Sequence, residues 1–511
     1  MLLLLLSLLG APTDDAARSA ALEGITAAEL GAHLELLASP ELEGRDSPSR
    51  GLEAAARYLE EQFRAYGLEP AGTDGFRHDY TRRLPVPDPA ATTGRVTRAG
   101  DELEWTLGVD FVPLPRCVGS ASGPAVFAGF GIVSKKPRWD STKGLELEGA
   151  IAVILEGEPR HRRLFEGEAI SPASDAYAKI DTLTEAGAVG VVIIRRPPAG
   201  HDPESPPAAP ELGYRYTWAS WLDVDDQPPA PPSSRLPVVE VSTAAGAALL
   251  GIDVEELAAR GDRAGRPLKH ELPAATITLA TAFNVVETRV DNVVGCLVGS
   301  DPTLADEHVV VGAHYDHIGV DSRGRIGLGA DDNASGTAAL LEIAEACAEA
   351  RPARSILFSA FSAEEDGLVG SRALASRPPV PLDSMVAMIN LDMIGRGDSN
   401  KVVVLGTEQN PDLGRVLERA AKLERTGIRR VITNKAAHLW QRSDHYSFHA
   451  VGVPVLFFFE AEHESENPDY HTFRDTVDKL SLPKIENTAR LAFVTTWLLA
   501  TDEGRPGPPK E

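Results

Sequence analysis

Cysteine is scarce: 511 residues hold three, Cys117, Cys296 and Cys347, scattered and without a CxxC pair or a Cys/His cluster of zinc-finger type. That excludes a disulfide scaffold and leaves three small apolar residues; one pair could be oxidised, and the spacing does not say which. Positive charge is also short. Fifty Lys and Arg face 75 Asp and Glu, a net charge of −25, which argues against a nucleic-acid or anionic-membrane partner. No apolar run approaches the roughly 20 residues a membrane span needs. The apolar run Leu2 to Leu9, followed by Gly10, Ala11 and acidic residues, reads as a short secretory signal within residues 1–20, although a basic n-region is missing. It predicts export, periplasmic or secreted. No cysteine beside it offers a lipid attachment point. With 43% hydrophobic and 24% charged residues the proportions are those of a globular protein, and the length suits about three domains or one large domain with an insertion.

What is present has a clear order along the chain. From Ile25 to Gly67 apolar residues recur at three and four, predicting two helices that pack on a larger body. Residues 81–115 are rich in proline and polar residues and read as strand and loop, with a boundary near Pro115. Residues 116–260 contain the strand-like runs PAVFAGFGIV, GAIAVILEG and VGVVIIRRP, a helical stretch around Ala178 to Ala186 and a proline-heavy loop, and read as a separate unit. From Thr276 onward short apolar runs alternate with helical stretches, which predicts an α/β domain with a mainly parallel central sheet. The expected division is therefore 21–115 and 261–500 as one body, 116–260 inserted, and 501–511 a loose tail.

Five clusters in the last region carry the chemistry. His314 closes the apolar run Val309 to Val311; on extended backbone Asp316 faces the same way, and its carboxylate can fix the tautomer of a ligating His314. Alone, HxD fits a satisfied core histidine better. Gly329-Ala330-Asp331-Asp332-Asn333-Ala334-Ser335-Gly336 enters a helix and carries acids in a tight turn, which alone would read as a cap. Glu364 and Glu365 follow the run SILFSAF; neighbouring side chains diverge, so one can bind metal while the other stays free as a base. Asp392 lies where another apolar run gives way to Gly395. Asp469-Tyr470-His471-Thr472 follows VPVLFFFE and an acidic loop. Each has an ordinary turn reading, but five in order at the ends of βα units make coincidence a poor account.

The ordered set AHYDH, GADDNASG, SAEEDG, NLDMIG and DYHT resembles the M28 family of co-catalytic zinc aminopeptidases, across about residues 280–500. The 116–260 block is similar to a protease-associated domain. The resemblance implies a phosphorylase/hydrolase-like three-layer α/β body with a β-rich α/β insertion, and two Zn²⁺ ions. His314 and Asp392 would bind one, Glu365 and His471 the other, and Asp332 would bridge, with Asp332 chosen over Asp331 by counting back from Ser335-Gly336. Glu364 would be the general base, and the Asp332-Asn333 peptide is expected to be cis. Tyr470 would be an oxyanion donor or else a packed aromatic. Ser443-Asp444-His445 would support the pocket wall, and His317, His438, His463 and Trp440 would be rim residues without roles.

The charges of that assignment balance. Two Zn²⁺ bring four positive charges, against Asp332, Asp392, Glu365 and a hydroxide held between the metals. The implied reaction is attack of that hydroxide on the first peptide bond, with peptide or protein N-termini as substrates. A carboxypeptidase or dipeptidase needs an arginine or lysine for the terminal carboxylate, and the sequence places none. A one-zinc glutaminyl cyclase is disfavoured by the complete two-metal set. A catalytically silent peptide-binding module would be expected to lack a ligand or the base, and none is missing. Side-chain specificity and oligomeric state are not legible.

Overall fold

Strands buried along their whole length and covered on both faces read as unbroken apolar runs, and that is how the centre of this molecule is built. The computed structural model describes residues 14–114, 117–161, 164–165, 171–196, 236–320, 324–433, 439–462, 467–502 and 504–510. Every residue of the strands His308–His314, Ser355–Phe361 and Met385–Leu391 is buried. These strands and Val455–Phe459 run parallel at the middle of a nine-stranded sheet. Antiparallel strands flank them: Phe283–Leu297 on Ser355–Phe361 and Lys401–Leu405 on Val455–Phe459. The sheet is thus parallel at its centre and mixed toward its edges.

Alternation sorts the side chains into two layers. Val309 and Val311 pack with the helices Arg50–Ala65, Gly336–Ala350 and Leu482–Thr501. Val310 packs on the opposite face with Leu374 and Phe448, from the helices Val369–Ser376 and His445–Ala450. Helix starts follow local chemistry: Thr26 accepts from the Glu29 amide and donates to its carboxylate, a reciprocal cap on Ala27–Leu37.

The second unit is larger than the sequence suggests. Its eight-stranded sheet runs in the order Asp101–Trp105, Thr93–Arg98, Thr276–Thr281, Gly119–Phe127, Ile151–Leu155, Gly190–Ile194, Val238–Val241, Phe111–Pro113. Thr276–Thr281 pairs with both Thr93–Arg98 and Gly119–Phe127, so the boundaries expected near 115 and 260 fall instead near 88 and 282. Thr93–Arg98 lies in the stretch read as strand and loop, and its short alternation of exposed and buried residues does not show which sheet it joins. A long ribbon, Arg77–Pro87 on Phe283–Leu297, joins the two sheets.

Two end assignments also change. Helix Asp14–Gly24 spans the expected end of the signal at residue 20: Arg18 is buried and paired with Glu424 at 2.9 Å, and Ala21 and Leu22 lie in the core. The apolar run Leu2 to Leu9 lies outside the described residues, as does most of the proline-heavy loop. The tail is docked rather than loose, because Gly507 exchanges hydrogen bonds with Asn410 and Asp412 (2.8 and 2.9 Å) and Lys510 N donates to Gln409 O at 2.8 Å. No disulfide joins Cys117, Cys296 and Cys347. Among the described residues no helix is long and apolar enough to cross a membrane.

Candidate metal centre

The carboxyl ends of parallel strands are where a doubly covered sheet offers space for chemistry, and the five clusters converge there. His314 is the last residue of its strand, and Asp392 directly follows Met385–Leu391. Asp332 comes from the turn ahead of Gly336–Ala350, in which the Asp332-Asn333 peptide is cis. Asn333 clamps that turn to the neighbouring strand end: its amide donates to Leu391 O at 3.0 Å, and its carbonyl oxygen accepts from Gly336 N and Met393 N at 2.9 and 3.2 Å. A Cβ at Gly336 would come within 2.3 Å of Leu391 O, so the close approach requires glycine.

Asp332 is divided between two imidazoles. Its Oδ1 is 3.4 Å from His314 Nε2 and its Oδ2 is 3.2 Å from His471 Nε2. Around His314 lies Asp392 Oδ1 at 3.3 Å; around His471 lies Glu365 Oε2 at 2.8 Å. Glu364 Oε2 is 4.0 Å from His314 Nε2. Asp331 turns away, accepting from Gly395 N at 2.9 Å and Asn467 Nδ2 at 3.1 Å. Asp316 is 3.6 Å from His314 Nδ1 and accepts from the amides of Glu364 and Glu365. Ser443 Oγ donates to Asp392 Oδ2 at 2.7 Å.

Electrostatics describe a centre that demands positive charge. Burial disfavours ionisation of Glu365, but the His471 and His317 imidazoles outweigh it and hold the carboxyl down at about 2. Burial likewise opposes the charged form of His471, yet Glu365 and Asp332 raise it to about 10. Glu364 goes the other way: burial first, then the negative neighbours Asp444 and Asp392, push it well above the usual carboxylate range. Burial also raises the Tyr470 phenol, so it keeps its proton as a donor. Tyr470 stacks on His471 with ring centroids 3.8 Å apart.

A metal fits these residues. The donor atoms of His314, Asp332 and Asp392 lie within 4.8 Å of one another, as do those of His317, Asp332 and Glu365, and His471 joins the second group at the distances given. Asp332 Oδ2 is buried, and the nearest donor to it is His471 Nε2 at 3.2 Å. Imidazole nitrogen with carboxylate oxygen is a donor set suited to zinc. His317, read from the sequence as a rim residue, is instead fully buried in the cluster. Trp440 packs on His445, ring centroids 4.9 Å apart; His438 and His463 lie outside the described residues. Beside the cluster is a pocket lined by Met393, Leu439, Phe457 and Phe459, with Arg442 and Tyr470. A further residue that sequence reasoning missed is Arg45, fully buried beneath the site.

Residues 292–496 match the sequence model for Peptidase family M28. Over 221 residues the chain is 32% identical to Leucine aminopeptidase 1 of Coccidioides posadasii (strain C735), covering 40% of this chain and 56% of that protein. It is 30% identical over 205 residues to the Probable leucine aminopeptidase of Arthroderma otae, covering 39% and 56%. The chain therefore spans little more than half the length of these curated relatives. Among solved structures, the aminopeptidase from Aneurinibacillus sp. strain AM-1 matches with a TM-score of 0.58 at 21% identity, over 96% of this chain and 97% of that one. A zinc aminopeptidase from Bacillus subtilis matches with a TM-score of 0.59 at 19% identity, over 95% and 98%. At that coverage the shared fold takes in both sheets.

Proposed function

We infer, from the match of residues 292–496 to the sequence model for Peptidase family M28, that the chain is a zinc exopeptidase removing residues from the free N-termini of peptides. The observation that carries this reading is the division of Asp332, one oxygen toward His314 and the other toward His471. His314 and Asp392 would hold one zinc, Glu365 and His471 the other, and Asp332 both. Zinc bound there supplies Lewis-acid polarisation of a carbonyl and acidifies water.

The chain's own residues do the rest. Glu364, beside the ligands but turned from Glu365, takes the proton of the attacking water and passes it to the leaving amine. Tyr470 donates its O–H to the developing oxyanion. Met393, Leu439, Phe457 and Phe459 receive an apolar side chain of the N-terminal residue, in keeping with the leucine in the relatives' names. The eight-stranded unit, residues 93–281, is read as the protease-associated insertion, supported by its own apolar cores and its place between two stretches that share one sheet.

Arg442 supports a second reading. A guanidinium lining the pocket is the group a carboxypeptidase or dipeptidase would use on a terminal carboxylate. Matched peptides with free or acetylated N-termini, and free or amidated C-termini, separate the two. Cleavage of only free-amine peptides, abolished by a chelator and restored by zinc, supports the aminopeptidase. Cleavage of acetylated peptides that needs a free carboxylate replaces it with the second reading, and no cleavage by zinc-loaded protein defeats both.

A further inference from the structure

His317 has no role in the ligand set just described, yet it is better buried than His471, whose side chain is 31% exposed against 0%. Its position is fixed from several sides. The His317 amide donates to Arg45 O at 3.2 Å. The ring lies over Gly329, where a Cβ would come within 2.5 Å of it, and meets His471 edge to face at 5.9 Å between centroids.

The two oxygens of Glu365 are shared between two imidazoles. Oε2 is 2.8 Å from His471 Nε2, and Oε1 is 2.7 Å from His317 Nδ1. The two rings differ in what else they reach. His471 Nε2 converges on both acids, with Asp332 Oδ2 at 3.2 Å; His317 Nδ1 is 3.7 Å from that oxygen, beyond hydrogen-bond range, and touches only Glu365 closely. A ligand should converge with the other ligands, whereas an orienting group should grip one of them from behind.

We propose that His317 is a positioning residue for Glu365: its Nδ1–H donates to Oε1 and holds the carboxylate with Oε2 facing Asp332 and His471. Because consecutive side chains diverge, fixing Glu365 also fixes the opposite heading of Glu364. The inference rests on the two-zinc reading above. Its rival makes His317 itself a ligand of the second ion, which its distance from the other donors permits.

Three variants of the full chain test it, checked for folding by near-UV circular dichroism. Zinc stoichiometry and affinity are measured by competition with a chromophoric chelator, and the absorption spectrum is recorded after cobalt substitution. His317→Asn keeps an N–H donor near the Nδ1 position, whereas His317→Gln places its amide near Nε2 and His317→Ala has none. The expected result is two ions in all three, with one ion held about 10- to 100-fold more weakly in H317A and H317Q, H317N within a few-fold of wild type, and the cobalt spectrum unchanged. Unchanged affinity in H317A overturns the proposal. So does loss of one ion in H317A and H317N alike with an altered cobalt spectrum, which makes His317 a ligand. A wild-type chain that binds fewer than two zincs overturns the two-zinc reading itself, and that is seen before any variant is compared.

Discussion

The backbone N–H of Glu364 donates to Asp316 Oδ1 at 3.2 Å, so the carboxylate that stands behind His314 also anchors the loop carrying the proposed base. The next amide, of Glu365, reaches Asp316 Oδ2 at 3.4 Å. One aspartate thereby sets the heading of a proposed ligand and of the proposed base on two different strand ends. It need not touch substrate to matter.

For Glu364 itself the expectation is separation of metal binding from turnover. Glu364→Gln keeps the shape and loses proton acceptance, so kcat should fall about 10²- to 10⁴-fold with two zincs retained. Stopped-assay kinetics with metal analysis on the same preparation decide it. A kcat within a few-fold of wild type would remove Glu364 from the role of base.

Ser443 tests the other half of the site. Its hydroxyl donates to Asp392 Oδ2 while accepting from Asn390 Nδ2, both at 2.7 Å, and so holds one oxygen of Asp392 while the other faces His314. Ser443→Ala should weaken one of the two proposed zincs about 10- to 100-fold and leave kcat at saturating zinc nearly unchanged. Chelator competition reads the affinity directly. Equal affinities in variant and wild type would make the hydrogen bond a bystander.

How much of this was legible in the sequence depends on where each residue's partners lie. His314, Asp332, Glu365, Asp392 and His471 stand at the ends of apolar runs, where strand and turn chemistry announce themselves locally, and the structure gathers all five. His317 was missed because extended backbone would turn it away from His314. The strand ends at His314, however, so the alternation does not carry on to His317. Arg45 carries no local signal, since its carbonyl partners other than Leu37 are about 270 to 284 residues away. The stretch 81–115 reads as strand and loop, but the pairing of Thr93–Arg98 with Thr276–Thr281, which assigns it to the second unit, is a long-range event that composition does not encode.

Arg45 links the N-terminal helices to the floor of the site. Its guanidinium donates to Tyr315 O and Leu328 O at 2.8 Å, to Gly329 O at 3.0 Å and also to Leu37 O. Burial lowers its pKa to about 10, so it stays charged at neutral pH. Arg45→Ala would strand these carbonyls without water and should cost about 3 kcal/mol or more. Arg45→Lys should recover only part, because an ammonium cannot span the same fork. Urea midpoints of the metal-free chains measure both, and a loss below about 1 kcal/mol in the alanine variant would contradict the assignment.

Lys484 makes the stability of the chain depend on alkaline pH. It is fully buried in the first turn of Leu482–Thr501, with its ammonium donating to Lys401 O. Burial depresses its pKa from 10.5 to about 8, with Glu460 opposing and Lys401 assisting. Between these two values the unfolded chain binds the proton that the folded chain has released, so stability rises with pH; below 8 the full cost of burying the charge is present. Lys484→Met removes that cost. The variant's stability relative to wild type should therefore be most favourable at pH 7 and decline steadily toward pH 10, read as the difference in urea unfolding free energy of metal-free protein. A difference independent of pH across that range would show that Lys484 titrates alike in the folded and unfolded chain.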